Sequence, residues 1–229
     1  MSLNKSICVV IPTYNEAGVI RETLNSLFAY GYTIVLVDDG SSDNTREIVK
    51  DLPIYYLRHA VNLGQGAAIQ TGLNFARTLA HCDYFVTFDA DGQHPAEKIN
   101  PMTEFLISAN LDIALGSRFL GTKALNMTKT RTFLLKIARL VNYLFSGLFL
   151  TDAHNGFRVM NRKAAYAIHL NENGMAHATE ILIQIKAHKL AYAEFPVVIT
   201  YTSYSLQKGQ QNLDSVKILR QILINKFFK

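Results

Sequence analysis

At 229 residues with 49% apolar side chains, the chain is long enough for one sizeable α/β domain with a short extension and too short for two full domains. Its net charge of +5 conceals a division, because residues 1–112 carry 7 basic and 13 acidic side chains whereas residues 113–229 carry 16 and 5. A cationic carboxyl half attracts phosphates or anionic lipid headgroups, while the lack of any nucleic-acid-binding motif sets nucleic acid aside as a partner.

Periodicity predicts strands near 7–11, 33–37, 54–58, 83–88 and 111–116, alternating with helices near 18–30, 43–51, 64–81 and 96–109. This order implies an α/β fold with a largely parallel central sheet and helices on both faces. The first strand runs into Pro12-Thr13-Tyr14-Asn15-Glu16, the second into Asp38-Asp39-Gly40-Ser41-Ser42-Asp43, and the fourth into Asp89-Ala90-Asp91-Gly92-Gln93. Open α/β sheets bind ligands beyond the carboxyl ends of their strands, so three polar strand ends in this order read as one site. Ser42 and Asp43 can cap the second helix, and Pro95 suits the first turn of the fourth.

Beyond Gly116 a basic loop leads to a long helix expected over about 131–149, where Lys136, Arg139, Tyr143 and Ser146 make a narrow polar stripe on an otherwise apolar surface. That pattern suits a core helix and equally a helix half set in a membrane interface. Lys136, Arg139 and Asn142 interrupt its apolar run, so no transmembrane helix is expected. A helix near 176–189, a strand at 193–200 and a last helix over 216–229 with apolar and basic residues complete the expected elements. Met1 stands too close to the first strand to leave room for a signal peptide. Cys8 and Cys82, far apart in sequence, have no metal-type or redox-type spacing and are expected as buried, reduced thiols in a cytoplasmic protein.

Asp89, Asp91 and Gln93 put two carboxylates and a carboxamide on one turn. Oxygen donors of this kind suit a hard cation, Mg²⁺ or Mn²⁺, that takes its remaining ligands from phosphates and water. Acting as a Lewis acid, the cation would neutralise charge on a bound diphosphate. Gly64-Gln65-Gly66 does not make a dinucleotide fingerprint, because Ile69 occupies the third glycine position.

Together the segments PTYNE, VDDGSSD, NLGQGAAIQTG, DADGQHP, GSRF and DAHNGFRVM resemble, in order and over nearly the whole chain, the inverting glycosyltransferases of family 2. Within that family the likeness is to the polyprenyl-phosphate sugar synthases related to dolichyl-phosphate mannose synthase. The resemblance implies a GT-A type nucleotide-binding domain over residues 1–200, followed by a basic amphipathic segment, 201–229, for membrane-surface or partner contact. It implies that Pro12, Tyr14, Glu16 and Asp38 hold the base and ribose of a sugar nucleotide, that Asp39 shapes the same pocket, and that Asp89, Asp91 and Gln93 take the metal and diphosphate. Arg118 is then expected at the phosphates or the acceptor, and Arg131 lies where relatives place a lipid-phosphate ligand. Lys208 can stand in for an arginine of the late segment, and Gln65 stands where relatives often carry lysine. Asp152, followed by Gly156-Phe157-Arg158, matches the carboxylate used as a catalytic base, with Arg118 and Arg158 as its catalytic companions. A polyprenyl monophosphate has a second pKa of about 6 and needs little deprotonation, which leaves Asp152 either as a base or as a group that orients the acceptor. Glu180 also matches a glutamate of relatives, with a structural role equally open; His94 and His154 lack zinc spacing and read as supporting residues.

The activity so implied is metal-dependent, inverting transfer of a sugar from a nucleoside-diphosphate sugar to a polyprenyl phosphate, undecaprenyl phosphate in particular, for cell wall polysaccharide biosynthesis. UDP-linked glucose or N-acetylglucosamine is favoured over GDP-mannose. The protein is expected in the cytoplasm, peripheral on the inner face of the cell membrane, compatible with a small membrane partner protein and with a homo-oligomer. Two alternatives stand beside it: a family 2 transferase that extends a glycan or lipid-linked oligosaccharide, and a catalytically silent regulatory subunit. Retention of Asp89, Asp91, Gln93, Asp152 and Arg158 favours activity.

Overall fold

Residues 6–120, 143–144, 146–153 and 155–199 are described by the structure, a computed structural model. Their strands are β1 (Ile7–Thr13), β2 (Thr33–Asp38), β3 (Tyr55–Arg58), β4 (Tyr84–Thr87), β5 (Ile113–Ser117), β6 (Arg158–Asn161) and β7 (Tyr192–Pro196). They form one sheet in the order β3-β2-β1-β4-β6-β5-β7. Every neighbouring pair is parallel except the two made by β6, which runs against β4 on one side and β5 on the other.

Side-chain alternation in β1 decides how the core is divided. Ile7, Val9 and Ile11 point to one face, where they pack with residues of α1 (Ile20–Phe28), α2 (Thr45–Val49) and α4 (Ile99–Ser108). Cys8 and Val10 point to the other, against α3 (Gln65–Thr78), α5 (Arg162–Ala167) and α6 (His177–Ala187). With helices on both faces, the inner strands have no solvated side, which is why β1 and β2 read as almost continuous apolar runs. Each helix grips through one stripe: Ile20, Leu24 and Leu27 in α1, Ile69, Leu73 and Ala76 in α3, Ile99, Met102 and Leu106 in α4. Full burial of each large aliphatic side chain contributes about 1.5–3 kcal/mol. The GT-A arrangement of a mostly parallel sheet between helices is therefore present.

The boundaries differ in detail from the sequence expectation. Helices α1, α2 and α3 are shorter by a few residues at their ends, and the fourth helix is preceded by a separate 3₁₀ turn over Ala96–Lys98. Asp43, not Ser42, meets the start of α2: its Oδ1 accepts from the Thr45 N–H at 3.0 Å. The expected strand at 193–200 runs instead over Tyr192–Pro196. Neither β6 nor α5 was expected, since Arg158–Asn161 is only four residues long and opens with a charge. Most of the helix expected over 131–149, the segment 201–229 and its final helix lie outside the described residues. Tyr143, Leu144 and Ser146 are helical, and Gly147 at φ +70° takes the left-handed conformation beyond them. Among the described residues, no helix is long and apolar enough to cross a membrane.

Cys8 and Cys82 are both free and fully buried. The fold brings them together despite their distance in sequence, and the hydrogen bond between them together with burial pushes the Cys8 thiol far above its usual range.

Candidate functional site

Parallel pairing puts the ends of β1, β2 and β4 along one edge, with Thr13 opposite Asp38 and Val10 opposite Thr87. The reversal of β6 adds its amino end to the same edge: Arg158 pairs with Thr87 on one side and with Leu115 on the other. Described residues of five chain segments, 12–16, 38–43, 89–93, 117–118 and 152–158, are thereby gathered at one rim.

The first two loops are laced together by side chains. Asn15, at φ +54°, donates its N–H to Ser41 Oγ at 2.9 Å, and its Oδ1 accepts from the Ser42 N–H at 2.8 Å. Asparagine tolerates this left-handed conformation better than most residues. Asp43 Oδ2 accepts from the Ala17 N–H and Thr45 Oγ1 accepts from the Glu16 N–H, at 3.0 and 3.2 Å. Pro12 is buried within β1, Glu16 is buried at 8% exposure, and Tyr14 stands out at 42%.

Asp38 and Asp39 serve the loops around them. Asp38 is fully buried; its Oδ1 accepts from the Ser41 N–H at 2.8 Å and its Oδ2 from the Tyr56 hydroxyl at 2.5 Å. Burial and this bond to a carboxylate push the Tyr56 hydroxyl above its usual pKa. Asp39 accepts from the N–H groups of Leu63 and Gly64 at 2.9 and 2.7 Å, while His59 bridges it to Thr71. Asp39 thus pins the start of the NLGQG segment to the end of β2. That segment opens α3 against residues 172–174: the Gly66 N–H donates to Asn173 O at 2.7 Å, and a Cβ on Gly66 would overlap Glu172 O.

Asp89, Asp91 and Gln93 occupy one turn after β4. Asp89 Oδ1 accepts from Gln65 Nε2 at 3.1 Å, and Oδ2 bonds to His94 Nε2 at 2.8 Å. Burial works to raise the Asp89 carboxyl, but the charge and hydrogen bond of His94, with the charges of Arg158 and His177, hold it below the usual carboxylate range. Asp91 accepts the Gln93 N–H at 3.1 Å. Burial and then the neighbouring Asp89 charge lift Asp91 to about 6. Two carboxylates crowded in this way form a donor set that a hard dication would relieve. Among the described residues no group of three or more His, Cys, Asp or Glu is arranged to hold a metal unaided. The turn fits a cation that completes its shell from phosphate oxygens and water. With both Asp89 oxygens already hydrogen-bonded, Asp91 is the more available ligand.

The other half of the rim is built on an ion pair. Arg118, directly after β5, donates Nε to Asp152 Oδ2 at 2.6 Å and Nη2 to Oδ1 at 2.7 Å, and its backbone N–H adds a third bond at 3.0 Å. Both side chains are largely buried, at 11% and 2% exposure. A planar guanidinium matched to both carboxylate oxygens is the stronger, geometrically specific form of ion pair. Arg158 lies beneath, 2% exposed. Burial lowers it to about 10, against the opposing pull of Asp89 and Asp152, so it is cationic at neutral pH and electrostatically links the two halves. Arg158 Nη1, Asn155 Nδ2 and His94 Nδ1 are buried here without a hydrogen-bond partner among the described residues.

The sequence-predicted residues divide accordingly. Asp89, Asp91, Gln93, Arg118, Asp152 and Arg158 share the rim with Pro12, Tyr14, Glu16, Asp38 and Asp39. Arg131, Lys208 and His154 lie outside the described residues. Glu180 is structural, its carboxylate accepting from the N–H groups of Asn171 and Glu172. Gln65, which stands where relatives often carry lysine, donates to Asp89. Asn15, Tyr56 and His59 were missed. Only Asn15 carried a local signal, an asparagine in a tight turn.

The sequence profile of Glycosyl transferase family 2 matches residues 8–168. An uncharacterised protein of Methanocaldococcus jannaschii is 36% identical over 99% of this chain and 95% of its own length. The UDP-N-acetylglucosamine–dolichyl-phosphate N-acetylglucosaminyltransferase of Methanococcus voltae is 32% identical over 99% and 98%. The dolichol-phosphate mannosyltransferase of Pyrococcus furiosus is 30% identical over 95% of this chain and 63% of that protein. In three dimensions the chain is similar to glucosyl-3-phosphoglycerate synthase from Mycobacterium tuberculosis, crystallised with Mn²⁺ and UDP-glucose, at TM-score 0.71 and 17% identity over 96% of this chain and 77% of that one. A sheet rim with these strand-end motifs, matched over most of its length by the family profile, makes the chain a glycosyltransferase that belongs to glycosyl transferase family 2.

Proposed function

We propose that the protein transfers a sugar from a nucleoside-diphosphate sugar to the phosphate of a polyprenyl phosphate, with inversion at the anomeric carbon. The observation that carries this reading is the division of one rim into an acidic, cation-ready turn at Asp89 and Asp91 and an arginine-rich half at Arg118 and Arg158, bridged by electrostatics. Likeness to two transferases named for dolichyl or dolichol phosphate supports the acceptor class, and likeness to an N-acetylglucosaminyltransferase over full length favours UDP-N-acetylglucosamine as donor.

Asp91 and Asp89, with Gln93 on the same turn, would hold Mg²⁺ or Mn²⁺, which supplies Lewis-acid neutralisation of the leaving diphosphate. The loops fixed by Asn15, Asp38 and Asp39 form the wall for the nucleoside. The Arg118–Asp152 pair, with Arg158 beneath it, would meet the acceptor phosphate, since guanidinium geometry suits phosphate oxygens. Asp152, held bidentately, orients Arg118 instead of taking a proton, because a lipid monophosphate is already mostly dianionic at neutral pH. Direct displacement needs no covalent enzyme intermediate. A membrane lipid as acceptor sets the reaction at a membrane surface, which the cationic carboxyl half is charged to approach.

The test is incubation of the purified protein with labelled UDP-N-acetylglucosamine, a polyprenyl phosphate in detergent and Mn²⁺, followed by solvent extraction. Label should enter the lipid phase as an acid-labile monosaccharide, and chelation should stop it. Label found in oligosaccharide, or no transfer with any polyprenyl phosphate, overturns the reading.

A further inference from the structure

Glu194 lies on β7, at the far edge of the sheet from the nucleotide loops, opposite Leu115 in register. Its carboxylate accepts from the Thr151 N–H with both oxygens at 2.8 Å, from the Thr151 hydroxyl at 2.8 Å and from the Asp152 N–H at 2.9 Å. The Thr151 hydroxyl also meets Ser117 Oγ at 2.5 Å, and Ser117 Oγ accepts from the Phe119 N–H at 3.2 Å. Thus the residues that immediately precede Arg118 and Asp152 in sequence, Ser117 and Thr151, are bonded to each other, and Glu194 holds the backbone that carries Asp152.

Three donors converging on one point call for a group that is all acceptor. An ionised carboxylate offers about four lone-pair sites and no donor, whereas an amide would turn N–H against N–H. We propose that Glu194 is a positioning residue for the transfer reaction. By fixing residues 151–152 to the sheet it sets the angle at which Asp152 presents Arg118 to the acceptor phosphate. The anchoring follows from the contacts themselves; its catalytic consequence rests on the proposed transfer to a phosphate acceptor.

The experiment compares the full-length wild type with Glu194→Gln and with Thr151→Val, which keeps both backbone donors should the first variant fold poorly. Hydrogen–deuterium exchange is measured first, because it reads the anchor whether or not the substrate assignment is right. Glu194→Gln should speed exchange of the Thr151 and Asp152 amides by about tenfold or more, with the amides of residues 40–43 and 91–93 unchanged. In the transfer assay the same variant should lose about 10²-fold in kcat, the scale of a misplacement of about 1 Å, while the thermal shift induced by UDP and Mn²⁺ stays at the wild-type value. Thr151→Val should show the same pattern, reduced. Unchanged exchange at Thr151 and Asp152, or wild-type kcat in Glu194→Gln, overturns the inference. A wild type with no transfer to any polyprenyl phosphate sinks the functional reading, and the exchange data still decide the anchor.

Discussion

Replacing Gly156 with alanine probes the site by one methyl group. A Cβ built there would stand 2.6 Å from Asp89 Oδ1 and 2.8 Å from its Cγ, with Oδ2 closer still. Ordinary contact begins at 3.4 Å, so the carboxylate, with Oδ2 nearest, must withdraw by about 1 Å or the backbone must yield. Neither is free to move: Gln65 and His94 hold the carboxylate, and Gly156 O accepts from the Thr87 hydroxyl at 2.6 Å. Overpacking of this kind costs about 1–3 kcal/mol of stability, small enough to leave the protein folded, whereas a shift near 1 Å at a reacting centre costs about 10²-fold in rate. The assay pairs urea unfolding with the transfer reaction and with the melting-temperature rise on adding UDP and Mn²⁺, which reports donor affinity through mass action. Gly156→Ala should unfold a little earlier, lose about two orders of magnitude in turnover and show a diminished ligand-induced shift. Gly174→Ala, whose Cβ would meet nothing within 4 Å, is the matched control and should change none of these. Wild-type turnover and ligand shift in Gly156→Ala would refute the claim that Asp89 belongs to the donor site.

Asp91→Asn should abolish turnover and the Mn²⁺-dependent part of the UDP shift while costing less than about 1 kcal/mol in urea unfolding, since its carboxylate accepts one backbone bond; substantial activity in the presence of metal would remove Asp91 from the site. Tyr56→Phe takes a hydroxyl from fully buried Asp38 and should cost about 1.5–3 kcal/mol by the same measurement, with a neutral result showing that Asp38 relies on its other partners. Asp112 supplies the pH dependence. Burial pushes its carboxyl up, but hydrogen bonds from Lys163, the Ala191 N–H and Asn161 outweigh that and hold it below the usual value. A depressed folded pKa gives stability that is present above the unfolded pKa of about 3.9 and is lost as pH falls through the folded value. Urea midpoints between neutral pH and pH 3 should therefore fall more steeply for wild type than for Asp112→Asn, and parallel curves would contradict the assignment.

The strands that carry the site were legible because burial on both faces writes a continuous apolar run, and the runs of β1, β2 and β4 end abruptly in polar turns. β6 was not legible. Its four residues include a buried arginine that no local rule admits to a core strand, and its place between β4 and β5 depends on pairing with chain more than forty residues away. Asn161 shows the same dependence, caring at once for the Ala164 N–H at the start of α5 and for Asp112. Glu194 was invisible for a related reason. A carboxylate in a short edge strand looks solvated until the 151–152 backbone is folded against it.

Acid content located the rim but could not distribute the work within it. An aspartate that accepts backbone N–H groups and an aspartate that faces a cation have the same side chain and prefer the same loops. What separates them is how many donors the fold has already aimed at their oxygens. Asp39 receives two amides and an imidazole, Asp43 receives amides and a hydroxyl, and Asp38 receives an amide and a phenol. Asp89 is bonded on both oxygens by side chains, and Asp91 accepts one amide. Counting unspent lone pairs would put Asp91 first as cation ligand; Asp38 and Asp89 receive two donors each, and exposure separates them, 0% for the Asp38 side chain against 28% for that of Asp89. The same count explains why Arg118 and Asp152 act as a unit: each meets the other's charge across two parallel bonds, so a substitution at one releases a buried charge at the other.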